Sequence, residues 1–433
     1  MIINNFSIFY LKFLFKGTKM FFDKKIPQSF RKLYTLDSLS ASFFAIFNAF
    51  VLSFVIVVMR KEGVNDLGIG FLAAAPSGAS LFIFFLLNLS FMTDKFTYIS
   101  FMKSLGRALL LIPVLLHNNT LFVIIFFIYF IIEKGVTPTY TSIVKDIYPT
   151  KYRGRAMGLV KIEQTLITML LSLFAGKLFD ILSYSVLFTI GISFGVLSQI
   201  FIYQMKDFVI KPDSNKHKHF HFKSFLKILS QDKLMIKYFA IFMLLGSSNL
   251  FISGLIPMYI VDILHLSNFL IGLTISLASF SMILGFYFGG HHIDTHDPLR
   301  TRIIVIFILS GVPLSYISLF FFKNITWLAF GIVCFASVLQ GFALSAGEIA
   351  RINLFTRIIN EHYLEQYWAF DFFLLGLRGI TMPFIGIGLK NILGFTPVFI
   401  LSASLMITAG LLMLNLYRNN FKELTTRGLT SLH

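Results

Sequence analysis

Twelve long apolar stretches limit what this chain can become: 37–59, 67–91, 99–117, 121–143, 155–178, 184–204, 236–261, 267–288, 302–322, 325–347, 367–389 and 394–416. A helix rises about 1.5 Å per residue, so about 20 apolar residues match the roughly 30 Å of a bilayer's hydrocarbon. The runs are continuous and do not alternate, which excludes a β-barrel. Composition agrees. Of 433 residues, 56% are hydrophobic and 13% charged, and mean hydropathy is +0.80, whereas soluble domains run at about 45–50% apolar and 25% charged. A soluble enzyme, a disordered chain and a collagen-like fibre are excluded. Fifty-four Phe and sixteen Tyr suit a lipid-facing surface. The single Cys334 rules out an intrachain disulfide or a Cys-based metal site. The expected fold is an all-α integral membrane protein of twelve spans.

Formal net charge is +17, and its placement explains it. Twelve spans put both termini on one side. Of 37 Lys and Arg, 28 fall on that side or in the span ends next to it, five on or next to the other, and four deeper within spans. The positive-inside bias therefore places the termini and the central connection in the cytoplasm, in a cytoplasmic (inner) membrane, and accounts for the charge without nucleic acid. The apolar run near the N-terminus is broken by Lys12 and Lys16 and does not read as a signal peptide, and Met20 offers an alternative start.

Segment 205–235 is the one long polar connection. From Lys223 to Lys237 it alternates Phe225, Leu226, Ile228, Leu229 and Leu234 with lysines, a pattern for a helix lying on the membrane surface. The expected organisation is a cytoplasmic segment 1–36, a six-helix bundle 37–204, the linker 205–235, a second bundle 236–416 and a cytoplasmic tail 417–433. The halves echo each other. Ile69-Gly70 opens span two and Ile271-Gly272 opens span eight, an offset of 202, while Asp94 and Asp294 follow those spans at an offset of 200.

Three loops carry a family resemblance. Ser90-Phe91-Met92-Thr93-Asp94-Lys95-Phe96-Thr97-Tyr98 resembles the loop G-x-x-x-D-R-x-G-R-R, keeping the acid and a base without the glycines. Gly290-His291-His292-Ile293-Asp294 is its second-half counterpart, and Arg153-Gly154-Arg155-Ala156-Met157-Gly158 is similar to R-G-x-A-x-G. With twelve spans, these resemble the major facilitator superfamily over the chain after about residue 35. The resemblance implies two pseudo-symmetric six-helix bundles, a monomer, and secondary transport of a small solute by alternating access. It also implies a cavity lined by spans one, four, seven and ten, and a cytoplasmic gate drawing on Asp94, Asp294, Arg153 and Arg155.

Charges inside a bilayer are costly and face a cavity or a partner. Glu133, rotated about 100° from Lys134, is the first candidate for substrate or proton contact, and Lys134 lies at a depth that suits an ion pair with Glu163. Glu348 and Arg351, three apart on one helix face, read with Asp371 as an inner-end cluster. Arg378, near the middle of span eleven, is the candidate for contact with an anion. Asn48, Asn249 and Gln340 are polar candidates for the cavity wall, and the amides serve equally as interhelical glue. His217, His219, His221, His291 and His292 lack acidic or Cys neighbours, so no metal site is assigned.

No G-x-x-x-x-G-K-[ST] run occurs, so ATP does not drive the protein directly, and no cofactor is implied. No soluble domain offers a nucleophile–base set, so the chain does not read as an enzyme. The G-P-x-x-G-G of drug/proton antiporters is missing from span five. The functional expectation is a proton-coupled secondary transporter of a small organic solute, with export favoured slightly. The alternative is an uptake symporter for a metabolite, anionic if Arg378 meets it. A receptor or a membrane enzyme is the remaining reading.

Overall fold

The loops at one face set the helix entries. Gly63 and His265, 202 residues apart, both adopt left-handed backbone (φ 83° and 47°). Each is followed by a buried aliphatic residue, Val64 or Leu266. Each then meets an N-cap: the Asn65 side chain accepts from the Gly68 amide, and Ser267 accepts from Leu270. One loop design thus starts the second helix of each half, because a capped first turn satisfies donors that the helix itself leaves open. Asp94, Asn118, Asp232 and Asp297 cap other helices in the same way.

The computed structural model describes residues 27–82, 94–209, 229–359 and 363–419. The start of the N-terminal segment with Met20, residues 223–228 of the proposed surface helix, the alternating histidines, residues 83–93 and the end of the tail lie outside the described residues; residues 233–237 of that proposed helix form the first turn of α7. Within them the chain is helical, with no strand. Its helices are α1 (Gln28–Lys61), α2 (Asp66–Phe82), α3 (Lys95–Leu115), α4 (Asn119–Ile147), α5 (Thr150–Ile181), α6 (Tyr184–Phe208), α7 (Lys233–Asp262), α8 (Asn268–Thr295), α9 (Pro298–Phe322), α10 (Thr326–Ile358), α11 (Leu364–Leu393) and α12 (Phe395–Asn419). Among the described residues, eleven are long and apolar enough to cross a membrane, and α2 is shorter. Large apolar side chains point outward, including Trp327, Phe321 and Ile392 at 79%, 74% and 80% exposure, as a lipid-facing surface requires.

The helices pack as two six-helix bundles with matching neighbours. In the first, α1 lies against α5 and α6, α3 against α4 and α6, and α2 against α4. In the second, α7 lies against α11 and α12, α9 against α10 and α12, and α8 against α10. Both leading helices break at equivalent places. Alpha1 passes through a π-turn at Asn48–Leu52, and α7 divides at Gly254, where Pro257 cannot donate to the Ser253 carbonyl. The segments beyond these breaks, Val55–Lys61 and Leu255–Asp262, touch.

Among the described residues the most extensive contacts between the bundles are those of α5 with α8, α2 with α11, and the ends of α1 and α7. The first two are equivalent under the internal repeat, and glycine makes both possible. A Cβ on Gly272 would stand 2.5 Å from the Ser172 carbonyl oxygen, and one on Gly379 would stand 2.5 Å from the Gly78 amide. Backbone atoms cannot step aside, so small residues are required where membrane helices cross this closely. Gly70, the repeat partner of Gly272, lies against Phe384 of α11. The repeated Ile-Gly pair therefore marks the seam between the halves. Gly272→Val is expected to force α5 and α8 apart at a cost of about 1–3 kcal/mol, read as a lower Tm in detergent; an unchanged Tm would show that the helices part freely.

Candidate functional site

The start of α1, the ends of α6 and α12 and the α3 cap at Asp94 lie at one face, here the terminal face; the loops at Gly63 and His265 lie at the opposite, far face. A cavity of about 340 Å³ sits in the first bundle, within the usual ligand-pocket range of about 300–1,000 Å³. Its wall comes from α1, α3, α4, α5 and α6, and Asp37, Lys103, Arg107, Glu133, Lys161 and Gln199 are its principal polar groups.

Alpha3 supplies two cations on one face, because Lys103 and Arg107 are four residues apart. Both reach Glu133 of α4: Lys103 Nζ lies 2.9 Å from one carboxylate oxygen and Arg107 Nη2 lies 3.5 Å from the other. Arg107 is 1% exposed. It also donates to the Gly195 carbonyl and to Ser198 Oγ at 2.7 Å, and its guanidinium covers the Phe44 ring at 4.8 Å. Asp37 of α1 is buried and accepts from the hydroxyls of Tyr140 and Tyr148, each at 3.2 Å.

The expected Lys134–Glu163 ion pair is not formed. Glu163 is fully buried and accepts from Ser38 Oγ of α1. Lys134 lies within Coulombic reach of Glu133 and of Glu348 and Arg351 across the gap between bundles. The two residues stand at similar depth, but Glu163 faces α1 while Lys134 faces α10. This cavity lies within one bundle: α7 and α10 contribute nothing to its wall, and α3 supplies two of its cations.

The second bundle carries a separate charge cluster. Arg351 of α10 bonds Glu348 at 2.8 Å and also pairs with Asp371 of α11, which is completely buried. Arg378 is 3% exposed, donates to the Phe242 carbonyl at 2.7 Å and lies 4.3 Å from that residue's ring. Arg302 of α9 covers the same ring at 5.3 Å and donates to the Gly347 carbonyl at 2.9 Å. Arg378 thus sits within the bundle against α7. Asn48 reaches Thr168 at 3.5 Å, joining α1 to α5, whereas Asn249 and Gln340 are half-buried.

At the terminal face, Asp94 caps α3 and pairs with Lys206 at 3.3 Å. Burial works to raise its carboxyl, but the Thr97 amide and hydroxyl and the Lys206 ammonium outweigh that and hold it below the usual carboxylate range. Its structural counterpart in the second bundle is Asp297, which caps α9 and pairs with Arg357 at 3.2 Å. Asp294, matched to Asp94 in the sequence, is exposed in the last turn of α8, so the counterpart must be corrected by three residues. The helix cap, not the offset of 200, fixes the equivalence. Arg153 donates to the Tyr148 carbonyl at 3.2 Å, and Arg155 is exposed.

The far face holds a set of contacts between the bundles that the sequence reading missed. Arg60 forks onto Asp262, with Nη2 to Oδ2 at 2.6 Å and Nε to Oδ1 at 2.9 Å, and reaches Asp66 at 2.9 Å. Lys390 bonds Asp66 at 2.9 Å. Lys61 bonds Asn268 Oδ1 at 2.7 Å, and Asp180 accepts from the Asn268 and Phe269 amides at 3.2 and 3.1 Å. Arg60 and Asp262 are 202 residues apart, so equivalent helix ends pair with opposite charge.

Two bundles related by an internal repeat, joined by ion pairs at one face and holding a charged cavity within the membrane span, have the architecture of a multi-pass integral membrane transporter. The major facilitator superfamily model matches residues 38–337, and the chain belongs to that family. No curated protein matches its sequence. Solved structures share the fold at low identity. A bacterial homolog of the human lysosomal transporter Spinster, inward-facing and unoccupied, is 13% identical with a TM-score of 0.65, covering 92% of this chain and 99% of that one. A mutant of the nucleoside transporter NupG is 14% identical, with a TM-score of 0.68 over 89% and 99%. A D-xylose-proton symporter is 13% identical, with a TM-score of 0.61 over 88% and 96%.

Proposed function

We propose that this chain is a proton-coupled secondary transporter of a small organic solute, working by alternating access as a monomer in the cytoplasmic membrane. Both termini lie in the cytoplasm, so the terminal face is the inner one and the conformation described is closed to the outside. The observation that carries this reading is the far-face latch of Arg60, Asp66, Asp262 and Lys390, which joins the halves above the charged cavity. As the halves rock about the α5–α8 and α2–α11 seams, the latch parts and the inner ends meet. Lys134 and Glu348 then approach each other, with Asp94, Asp294, Arg153 and Arg155 contributing to the closed inner face.

Glu133 is the coupling carboxylate. Protonation cancels the charge that holds Lys103 and Arg107 and frees both cations toward the cavity, so proton and solute enter together. This supports symport; a D-xylose-proton symporter shares the fold. Export against incoming protons is the second reading, favoured by the general family resemblance. Proteoliposomes with an imposed pH gradient and labelled organic acids, nucleosides or pentoses separate the two by the sign of solute movement. Glu133→Gln is expected to abolish gradient-driven accumulation while leaving solute exchange between equal pools. Full accumulation with unchanged pH dependence in that variant removes Glu133 from the coupling role.

A further inference from the structure

We infer that the first-bundle cavity is a binding site for a small organic anion bearing a hydroxyl or amino group, with Lys161 as its anchor. The inference rests on the transporter reading above and names the class of its substrate. Three cations and two carboxylates line the cavity: Lys103, Arg107 and Lys161 against Asp37 and Glu133. The charges are not shared evenly. Glu133 is taken by both cations of α3, and Asp37 is held by two tyrosine hydroxyls. Lys161 is left as the cation in excess. Among the described residues it has no ion pair, and its hydrogen bond is to the neutral Gln164 at 3.2 Å. An ammonium within a membrane-spanning helix is costly unless something compensates it, and Lys161 is exposed at the cavity rather than folded against a carboxylate. A carboxylate or phosphate arriving there restores charge balance and accepts from an ammonium that has spare donors.

The opposite requirement comes from acceptors in the same wall. Gln199 is 2% exposed, and its amide nitrogen donates to Ser198, but its carbonyl oxygen has no hydrogen-bond partner. A buried acceptor left open is costly, and a small shift of the amide toward the cavity lets a ligand hydroxyl or amine satisfy it. The cavity volume lies near the lower end of the ligand-pocket range, which suits a small hydroxy or amino acid or a small sugar-alcohol phosphate.

Carboxylate and phosphate share this chemistry, and an anionic lipid headgroup carries it too, so the test has an arm for each. Purified protein in lipid-free detergent is titrated with lactate against lactamide, glycerol phosphate against glycerol, malate against malamide, and short-chain phosphatidylglycerol, with thermal unfolding as the readout. A free organic acid is expected to raise Tm by about 3 °C or more at saturation, and its neutral partner is not. Lys161→Gln weakens that anion about tenfold or more, Lys161→Arg restores most of the affinity, and Lys323→Gln at the far face changes nothing. Unliganded Tm values show whether each variant is folded. Four results overturn the inference: neutral partners stabilise equally, only the lipid binds, an anion's shift survives Lys161→Gln, or no anion binds up to 50 mM. Far-face distance measurements on the same protein keep the readings separate: if the halves rock but no anion binds, only the substrate class falls.

Discussion

Arg60→Asp is expected to open the far face. Arg60 ties three elements, with Asp262 at 2.6 Å and Asp66 at 2.9 Å, and the substitution places a third carboxylate between those two. The side chains are about a quarter exposed or less, so the loss lies below that of a fully buried pair, at about 1–3 kcal/mol or roughly 5–150-fold in the equilibrium between conformations. Spin labels at Glu62→Cys and Ile392→Cys, exposed far-face positions in opposite halves, in a Cys334→Ser background, report it as growth of a longer-distance population. The exchange Arg60→Asp with Asp262→Arg restores part of the short-distance population. Restoration is partial because the carboxylate now at position 60 still meets Asp66, with Lys390 as its remaining compensation. Unchanged distances in the single variant would mean that helix packing along the seams, not the latch, holds this face shut.

That latch shows where sequence reading stops. The helices were legible because apolar length is a local property, and the internal repeat was legible because Ile69-Gly70 and Ile271-Gly272 stand where both halves must approach closely. Arg60, Lys61 and Lys390 are readable along the chain as loop charges on the sparsely charged side. Nothing local says that Arg60 meets Asp262, although the offset of 202, already visible in the glycine pair, applies to them as well. Lys103 reads as an inside-loop charge when taken singly, while its spacing of four from Arg107 was the signal that both line one face. Glu163 and Lys134 fail as a pair for a related reason. Depth along neighbouring helices is readable from the sequence, but the direction each side chain faces is set by tertiary packing, and here Glu163 turns to Ser38. Arg378 likewise reads as a mid-membrane charge, and nothing local shows that the Phe242 carbonyl and ring lie against it.

In the second bundle, Asp371→Asn is expected to destabilise the protein more than Arg351→Met, although the two residues are direct partners. Counting the whole cluster gives this order. Arg302, Arg351 and Arg378 face two acids, Asp371 and Glu348, and the first of these is fully buried while the second is half exposed. Removing Arg351 leaves two guanidinium groups and two carboxylates, and Asp371 stays within Coulombic reach of Arg302 and Arg378, so the cost is about 1–2 kcal/mol. Neutralising Asp371 leaves three buried or half-buried cations against one solvated acid, the case in which an uncompensated buried charge costs about 3–5 kcal/mol. The amide is nearly isosteric, so no cavity term enters, and thermal unfolding in detergent should read the loss as a fall in Tm on the order of 10 °C. Adding Arg351→Met to Asp371→Asn should then raise Tm, because it removes one of the repelling cations; the sign of that coupling follows from the charge excess and not from the pair contact. If Arg351→Met proves the more damaging single change, and the double variant is no better than Asp371→Asn, the cluster is held by the Arg351–Asp371 bond alone, and Arg302 and Arg378 are neutralised by their carbonyl and aromatic contacts instead.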